Sequence, residues 1–323
     1  MTTEQNVLIV STVADVATDH VVQRLRQLGV PHRRLNTEDF PFSATISFEV
    51  ETAGHKRVAV GGESVAPPSA IWYRRIRTPT RPSGMEQGVY DFCLHETRAA
   101  LLGSILSLNG RWMSAPHDVW RAEFKPLQLA VAAEVGLKIP PTFVTNDAQV
   151  VRRAFSTLKS MVVKPAMSGN VVYDGREHAI YTSRLLEEHL EYLDQAQLSP
   201  AIYQGLVEKR YDIRATIIGD RILAAAIDSQ SDPDAAVDWR HTSNPSLPHH
   251  RIELPPDLCS TLLALMRRLN LNFGAVDLVQ TPDGEFVFLE VNPNGQWLWL
   301  DDQLDLGVTD AIAAWLSTSV RSD

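Results

Sequence analysis

Apolar positions recur along the chain in two periods. NVLIV at 6–10 is a short β-branched run, and the stretch from Asp15 to Leu28 reads as a helix that stops at Gly29. VPHRRLN, TISFEV, KRVAVGG and SAIWYRR follow as strand candidates, so strands and helices alternate as in an α/β unit. Residues 88–108 predict one helix with apolar positions at Val89, Phe92, Cys93, Ala99, Leu102 and Leu106. Asn109-Gly110 punctuates the chain.

A second segment runs from about Trp112 to Pro200. Its first helix carries Lys125 and Pro126 near the start and ends at Gly136. A second helix follows IPPTFVTN, with Asn146 or Asp147 as its cap. MVVKP is a strand ending at Lys164 and Pro165, and AMSGNVVYDGREHAIYTS reads as one or two hairpins. From Ala201 the chain is β-rich: AIYQGLVEK, DIRATIIG, RILAAAID, GAVDLVQ and EFVFLEV are strands. One helix over Asp257–Leu269 interrupts them, and another over Thr309–Ser317 closes the chain. Residues 229–250 are polar, Pro-rich and aperiodic, which predicts a long functional loop.

Composition narrows the class. The chain has 323 residues and a net charge of −9, with 24 of its 30 basic residues arginine. An acidic chain of this kind does not suit a general nucleic-acid binder. The expectation is no nucleic-acid partner and no membrane partner, since no apolar run approaches the roughly 20 residues of a spanning helix. The start, MTTEQNVLIVST, lacks a signal peptide's basic residues. Two cysteines make neither a disulfide framework nor a metal motif, and the expected compartment is the reducing cytoplasm.

The strongest chemical signal is GAVDLVQTPDGEFVFLEVNPNGQW at 274–297. Two apolar strands flank a Thr-Pro-Asp-Gly turn; one carries Asp277, and the other carries Glu290 and Asn292 on one face. Carboxylates in apolar strands are costly unless paired. A two-residue Asp283-Gly284 turn sets Asp277 opposite Glu290, at a Cβ separation of ~5 Å, where a hard cation such as Mg²⁺ would relieve their repulsion. A three-residue Pro-Asp-Gly loop sets Asp277 opposite Leu289, and the site then needs a further bulge. The Pro-Asp-Gly order favours this second turn. The competing reading makes Asp277 and Glu290 exposed positions on an amphipathic hairpin.

This segment closely resembles the metal-binding core of ATP-grasp ligases. The resemblance implies that Asp277, Glu290 and Asn292 hold Mg²⁺ on ATP. It implies that Lys125 and Lys164 contact phosphates, and that Met167–Asn170, with Ser168 and Gly169, forms a small loop covering them. QGLVEKRYDIR at 204–214 then matches the adenine hinge, with Gln204, Leu206, Val207 and Glu208 at the nucleotide, and Asp212 and Arg214 on the following strand. Arg214 is expected on the transferring phosphoryl group, and Asp212 orients Arg214 or the ribose. Gly205 departs from the pattern, because relatives carry Gln-Glu there; the adenine contact must come from the backbone or from Gln204.

WYRR at 72–75, Ser-Gln at 229–230, Asp-Trp-Arg at 238–240 and NPNGQW at 292–297 resemble a narrower group, the ATP-grasp peptide maturases of microviridin type, or graspetide synthetases. The resemblance covers nearly the whole chain. It implies an α/β (α+β) architecture: an N-terminal α/β pre-ATP-grasp domain at 1–112, a central α+β subdomain at 113–200 and a C-terminal antiparallel-sheet subdomain at 201–323. It also implies a ribosomally made precursor peptide as partner, with a leader read near the 166–182 hairpins and an acidic, hydroxyl-rich core. Side-chain carboxylates of that peptide would be activated by ATP and attacked by Ser or Thr hydroxyls or Lys amines. The resemblance further implies a homodimer as one assembly open to the chain, since relatives often form one. Arg240, in the long polar loop, has a planar fork suited to the incoming carboxylate; His241 beside it is either a base for the attacking hydroxyl or, as loop histidines more often are, a solvated residue. Two other functions share the nucleotide residues: an amino-acid or glutamate ligase acting on a small molecule or a protein C-terminus, and a non-catalytic nucleotide-binding module. A neighbouring short gene encoding a Thr/Ser- and Asp/Glu-rich peptide separates the first reading from the amino-acid or glutamate ligase, and ATP hydrolysis with candidate peptides separates it from the non-catalytic module.

Overall fold

The computed structural model describes residues 6–167, 169–242, 244 and 247–318. They divide into two units, one spanning Met1–Pro116 with Gly307–Asp323 and the other His117–Leu306.

The first unit begins with β1 (Val7–Ser11), α1 (Val16–Gln27) and β2 (His32–Asn36). β1 is buried along its length, as a continuous apolar run inside a parallel sheet must be. A separate antiparallel sheet holds β3 (Ile46–Val50), β4 (Lys56–Val60) and β5 (Glu63–Ser64). β6 (Ala70–Tyr73) and β7 (Arg111–Trp112), on either side of α2 (Gln87–Leu106), complete a parallel sheet of order β2-β1-β6-β7. The expected apolar face of α2 is corrected: Val89, Phe92 and Leu106 are exposed, and burial gathers at Leu101, Leu102 and Ile105 near its end. Arg74 of WYRR is structural. It pairs with Asp15 at 2.9 Å with both side chains inaccessible, and Asp15 also accepts from Ser11 and Thr18. The C-terminal helix, Val308–Ser317, belongs to this unit: it packs on α1, and the Arg111 guanidinium lies 3.6 Å over the Trp315 ring.

The second unit starts with α3 (Pro116–Ala122), α4 (Lys125–Glu134), β8 (Thr142–Thr145) and α5 (Ala148–Leu158). Asp147 caps α5 by accepting from the Gln149 amide, which decides between the two candidate caps. β9 (Met161–Pro165), the hairpin β10 (Asn170–Tyr173) and β11 (Arg176–Ala179), β12 (Ser183–Leu185) and β13 (Ala201–Gly205) follow. The first sheet runs β12-β9-β13-β8, with α5 packed on it through Val151, Ala154, Met161 and Tyr203.

β14 (Tyr211–Ile218), β15 (Arg221–Ile227), β16 (His249–Ile252), α6 (Pro256–Leu269), β17 (Phe273–Gln280), β18 (Phe286–Asn292) and α7 (Leu298–Leu304) complete the unit. The second sheet is antiparallel, in the order β16-β15-β14-β17-β18. Both sheets lie in the same unit. The expected loop at 229–250 contains two short 3₁₀ turns, Ser229–Ser231 and Trp239–His241, and its end pairs with β15 as β16. Among the described residues no helix is long and apolar enough to cross a membrane.

Candidate functional site

The β17–β18 hairpin combines both registers considered from the sequence. Next to the turn, Gln280 pairs with Phe286, Val279 with Val287 and Leu278 with Phe288, the register of the three-residue loop. Gly284 takes φ +90°, the left-handed value that this loop needs. The register then shifts between Asp277 and Leu278, and Asp277 lies opposite Glu290 after all. Leu289 is the extra residue. A bulge of this kind re-aims the side chains that follow it, here Glu290 and Asn292.

Arg214 on β14 sits opposite Asp277 on the other side, so Arg214, Asp277 and Glu290 form one row across three strands. Arg214 Nη1 donates to both Asp277 oxygens, at 2.7 and 2.8 Å. Asn292 Nδ2 donates to Asp277 at 2.9 Å and to Glu290 at 3.3 Å. Lys125, at the start of α4, closes the row with its Nζ 3.0 Å from Glu290. Gly295 lets the following loop approach this row: a Cβ there would lie 2.4 Å from that of Ala275 and 3.2 Å from Arg214 Nη2.

Burial sets the protonation of these groups. It pushes Asp277 upward, as does Glu290, against the pull of Arg214. For Glu290 burial also acts upward, but Lys164 and Lys125 together outweigh it and hold the carboxyl at about 2. Lys164 is buried and pushed below its usual value by burial. Asp212 is raised by burial, against its bond to Lys209, whose Nζ reaches both carboxylate oxygens at 2.9 and 2.7 Å.

A cleft of about 290 Å³ within this unit collects most of the residues singled out from the sequence. Lys125, Lys164, Gly169, Gln204, Leu206, Val207, Asp212, Arg240, Asp277, Glu290 and Asn292 line it. Three others differ. Glu208 is exposed and outside the lining. Arg214 is also outside it and meets the cleft through Asp277. Ser168 lies outside the described residues. In the hinge, the Gly205 amide donates to Pro141 O and the Leu206 amide to Ser160 O, while Gln204 Nε2 donates to Thr142.

Arg240 does not present its whole fork. Nε and Nη2 bind Asp238 at 2.8 and 2.7 Å, and this pair raises Arg240 further above its usual value. The Nη1 side is not used by Asp238. Asp238 also accepts from the Thr182 amide at 3.1 Å. The His241 ring packs edge-on against Tyr181, with centroids 5.4 Å apart.

Two residues of the site escaped the sequence reading. Lys209 had a signal in its i,i+3 spacing to Asp212, and it lines the cleft. Gln128 had only its place one turn after Lys125; it is buried and holds the backbone of β18.

The donor set fits a hard divalent cation. Among the described residues no group of three or more His, Cys, Asp or Glu could hold a metal. Mg²⁺, however, usually takes one or two carboxylates, several waters and the phosphates of a substrate. Two facing carboxylates and an amide with an oxygen donor match that need.

A family model for the MvdD pre-ATP grasp domain matches residues 6–119. No curated protein matches the chain. Among solved structures, a RiPP-associated ATP-grasp ligase of Chryseobacterium gregarium, in complex with ADP and a leader and core peptide, is 27% identical. That match covers 97% of this chain and 96% of the other, with a TM-score of 0.89. The macrocyclase MdnC from Microcystis aeruginosa MRC, bound with precursor peptide MdnA, is 31% identical over 96% of this chain and 98% of its own, with a TM-score of 0.85. The macrocyclase MdnB from the same organism is 28% identical over 98% of this chain and all of its own, with a TM-score of 0.78.

Proposed function

Since the chain belongs to the RiPP-associated ATP-grasp ligases, we propose that it uses ATP to activate side-chain carboxylates of a ribosomally made precursor peptide and closes ester or amide rings. The carrying observation is that Asp277, Glu290 and Asn292 line one cleft with Lys125 and Lys164, with Arg214 behind Asp277 in the same row.

A carboxylate becomes a usable acyl donor once one oxygen leaves as phosphate. A peptide carboxylate oxygen attacks the γ-phosphorus of ATP and ADP departs. A Ser or Thr hydroxyl, or a Lys amine, then attacks the acyl carbon; phosphate leaves and the attacking group loses its proton. Mg²⁺, held by Asp277, Glu290 and Asn292, would neutralise charge on the phosphates. Lys125 and Lys164, both acting on Glu290, bind the phosphates. Gly169 lies where a covering loop would approach them. Gln204, Leu206 and Val207 receive the adenine. With the Gly205 and Leu206 amides already engaged and Gln204 Nε2 bound to Thr142, the Val207 amide and the Gln204 side-chain oxygen carry that contact. Asp212 addresses the ribose while Lys209 balances its charge. Arg214 acts one layer back, orienting Asp277 and favouring its charged form against burial. Arg240 grips the incoming carboxylate with its Nη1 side, since Asp238 holds the other edge.

The test uses precursor peptide, ATP and Mg²⁺, and counts water losses by mass, about 18 Da per ring on this condensation chemistry. Arg240→Ala should leave ATP affinity nearly unchanged and cut ring formation severely. Arg240→Lys should rescue poorly, because an ammonium cannot reproduce a planar fork held on one edge. Full dehydration by Arg240→Ala would remove the role. Joint loss of ATP binding would move Arg240 to the phosphates.

A further inference from the structure

Among the described residues β18 is the last strand of its sheet, and one edge of it has no partner strand. At Val291 that edge is closed by a side chain. Gln128 Oε1 accepts from the Val291 amide at 2.9 Å, and Gln128 Nε2 donates to Val291 O at 2.8 Å. The same Nε2 also donates to Ala122 O, so the carboxamide is bonded at both ends and tied back to α3. Gln128 is 2% exposed.

The two groups that Gln128 holds belong to particular peptide planes. The Val291 amide lies in the plane joining Glu290 to Val291, and the Val291 carbonyl in the plane joining Val291 to Asn292. Fixing both planes fixes the directions in which the Glu290 and Asn292 side chains leave the strand. This matters most just after the Leu289 bulge, where the ladder to β17 is interrupted and determines those planes least. The neighbouring bond from the Phe288 amide to Lys138 O pins the other side of the bulge. Gln128 also lies three residues after Lys125, on the same face of α4. One turn of α4 therefore carries both the bond that positions the strand and Lys125, whose Nζ lies 3.0 Å from Glu290.

We propose that Gln128 is a positioning residue for the divalent cation: by holding both peptide planes at Val291 it orients Glu290 and Asn292 and so sets the affinity of the site for the metal. The inference rests on the reading of Asp277, Glu290 and Asn292 as the metal-holding set.

The experiment measures ADP binding to the full chain by calorimetry across a Mg²⁺ titration, for the wild type, Gln128→Met, Gln128→Glu and Glu290→Gln. Gln128→Met keeps the volume without either bond. Gln128→Glu keeps the acceptor for the Val291 amide and removes the donor. Both should leave metal-free ADP affinity within about twofold and raise the Mg²⁺ midpoint about 10-fold, the scale of losing an outer support of a metal ligand. A merely structural role would lower thermal stability without moving that midpoint. If Glu290→Gln abolishes the Mg²⁺ dependence while both folded Gln128 variants keep the wild-type midpoint, the proposal falls and the metal reading stands. If Glu290→Gln leaves the dependence intact, the metal reading itself falls. Failure of both Gln128 variants to fold would assign Gln128 to the fold and overturn the proposal.

Discussion

Asp277 faces charges of opposite sign on its two sides. From the sequence, only the repulsion with Glu290 is visible, which suggests that neutralising Asp277 relieves strain. The structure reverses this sign, because Arg214 binds both Asp277 oxygens and its own side chain is only 10% exposed. Asp277→Asn leaves that guanidinium without its counter-charge, which costs ~3 kcal/mol. The burial and the repulsion that push Asp277 upward are relieved as well and offset part of it, but the geometric pairing of both oxygens with a buried guanidinium decides the sign. The expected outcome is a lower thermal unfolding midpoint together with loss of ring formation, checked by calorimetric melting without ligands. An unchanged or higher midpoint would return Asp277 to the role of a net repulsive neighbour. The row itself was half legible: Asp277, Glu290 and Asn292 stand out as acids and an amide in apolar strands. Their alignment with Arg214 depends on pairing between strands more than 60 residues apart.

At the scale of elements, the bulge in β18 and the 229–250 segment decide where the site residues point. The segment is held by its own contacts. Trp239 packs on Trp299 at 5.0 Å, Ser229 is fully buried, and Asp238 joins Arg240 to the Thr182 amide. Burial pushes Asp238 upward, but the bonds and charge of Arg240 and the Thr182 amide outweigh it and hold the carboxyl at about 2, below its ordinary 3.8. A group depressed in the folded state stabilises above its unfolded value and loses that contribution as pH falls through the folded one. Because Arg240 is half-exposed, the contribution is about 1–2 kcal/mol after screening. Asp238→Asn should therefore melt below the wild type at pH 6, with the gap closing between about pH 4 and 2. A gap independent of pH would trace the effect to packing. The sequence marks this stretch as a functional loop but not its inner order, because 3₁₀ turns and aromatic packing leave no periodic pattern.

For the whole molecule, the first described elements and the last helix share one unit. The C-terminal helix places Val308, Ile312 and Leu316 in the first unit's core, each fully buried. Removing Gly307–Asp323 takes those side chains away and leaves a void beside α1, at about 2–5 kcal/mol for each large aliphatic residue lost. Hydrogen exchange of the truncated chain should show amide protection lost in β1, α1 and β6 and kept in β14, β17 and β18. Protection retained in β1 would mean that the first unit holds without its last helix.

The sequence by itself determined the local elements and the chemical alphabet of the site. Periodicity marks β1, α6 and four of the five strands of the second sheet, β16 lying at the end of a stretch read as loop, and the acids, lysines and arginines of the cleft stand out because burying charge is costly. Only the tertiary structure decided which of them meet. The Leu289 bulge sets Asp277 against Glu290, Arg214 turns to Asp277 instead of the cleft, Asp238 takes one edge of Arg240, and Gln128 reaches the backbone of Val291 from 163 residues away. Each of these depends on register or on the approach of distant segments, and such contacts carry no local pattern. A one-residue shift along a strand turns every side chain to the opposite face.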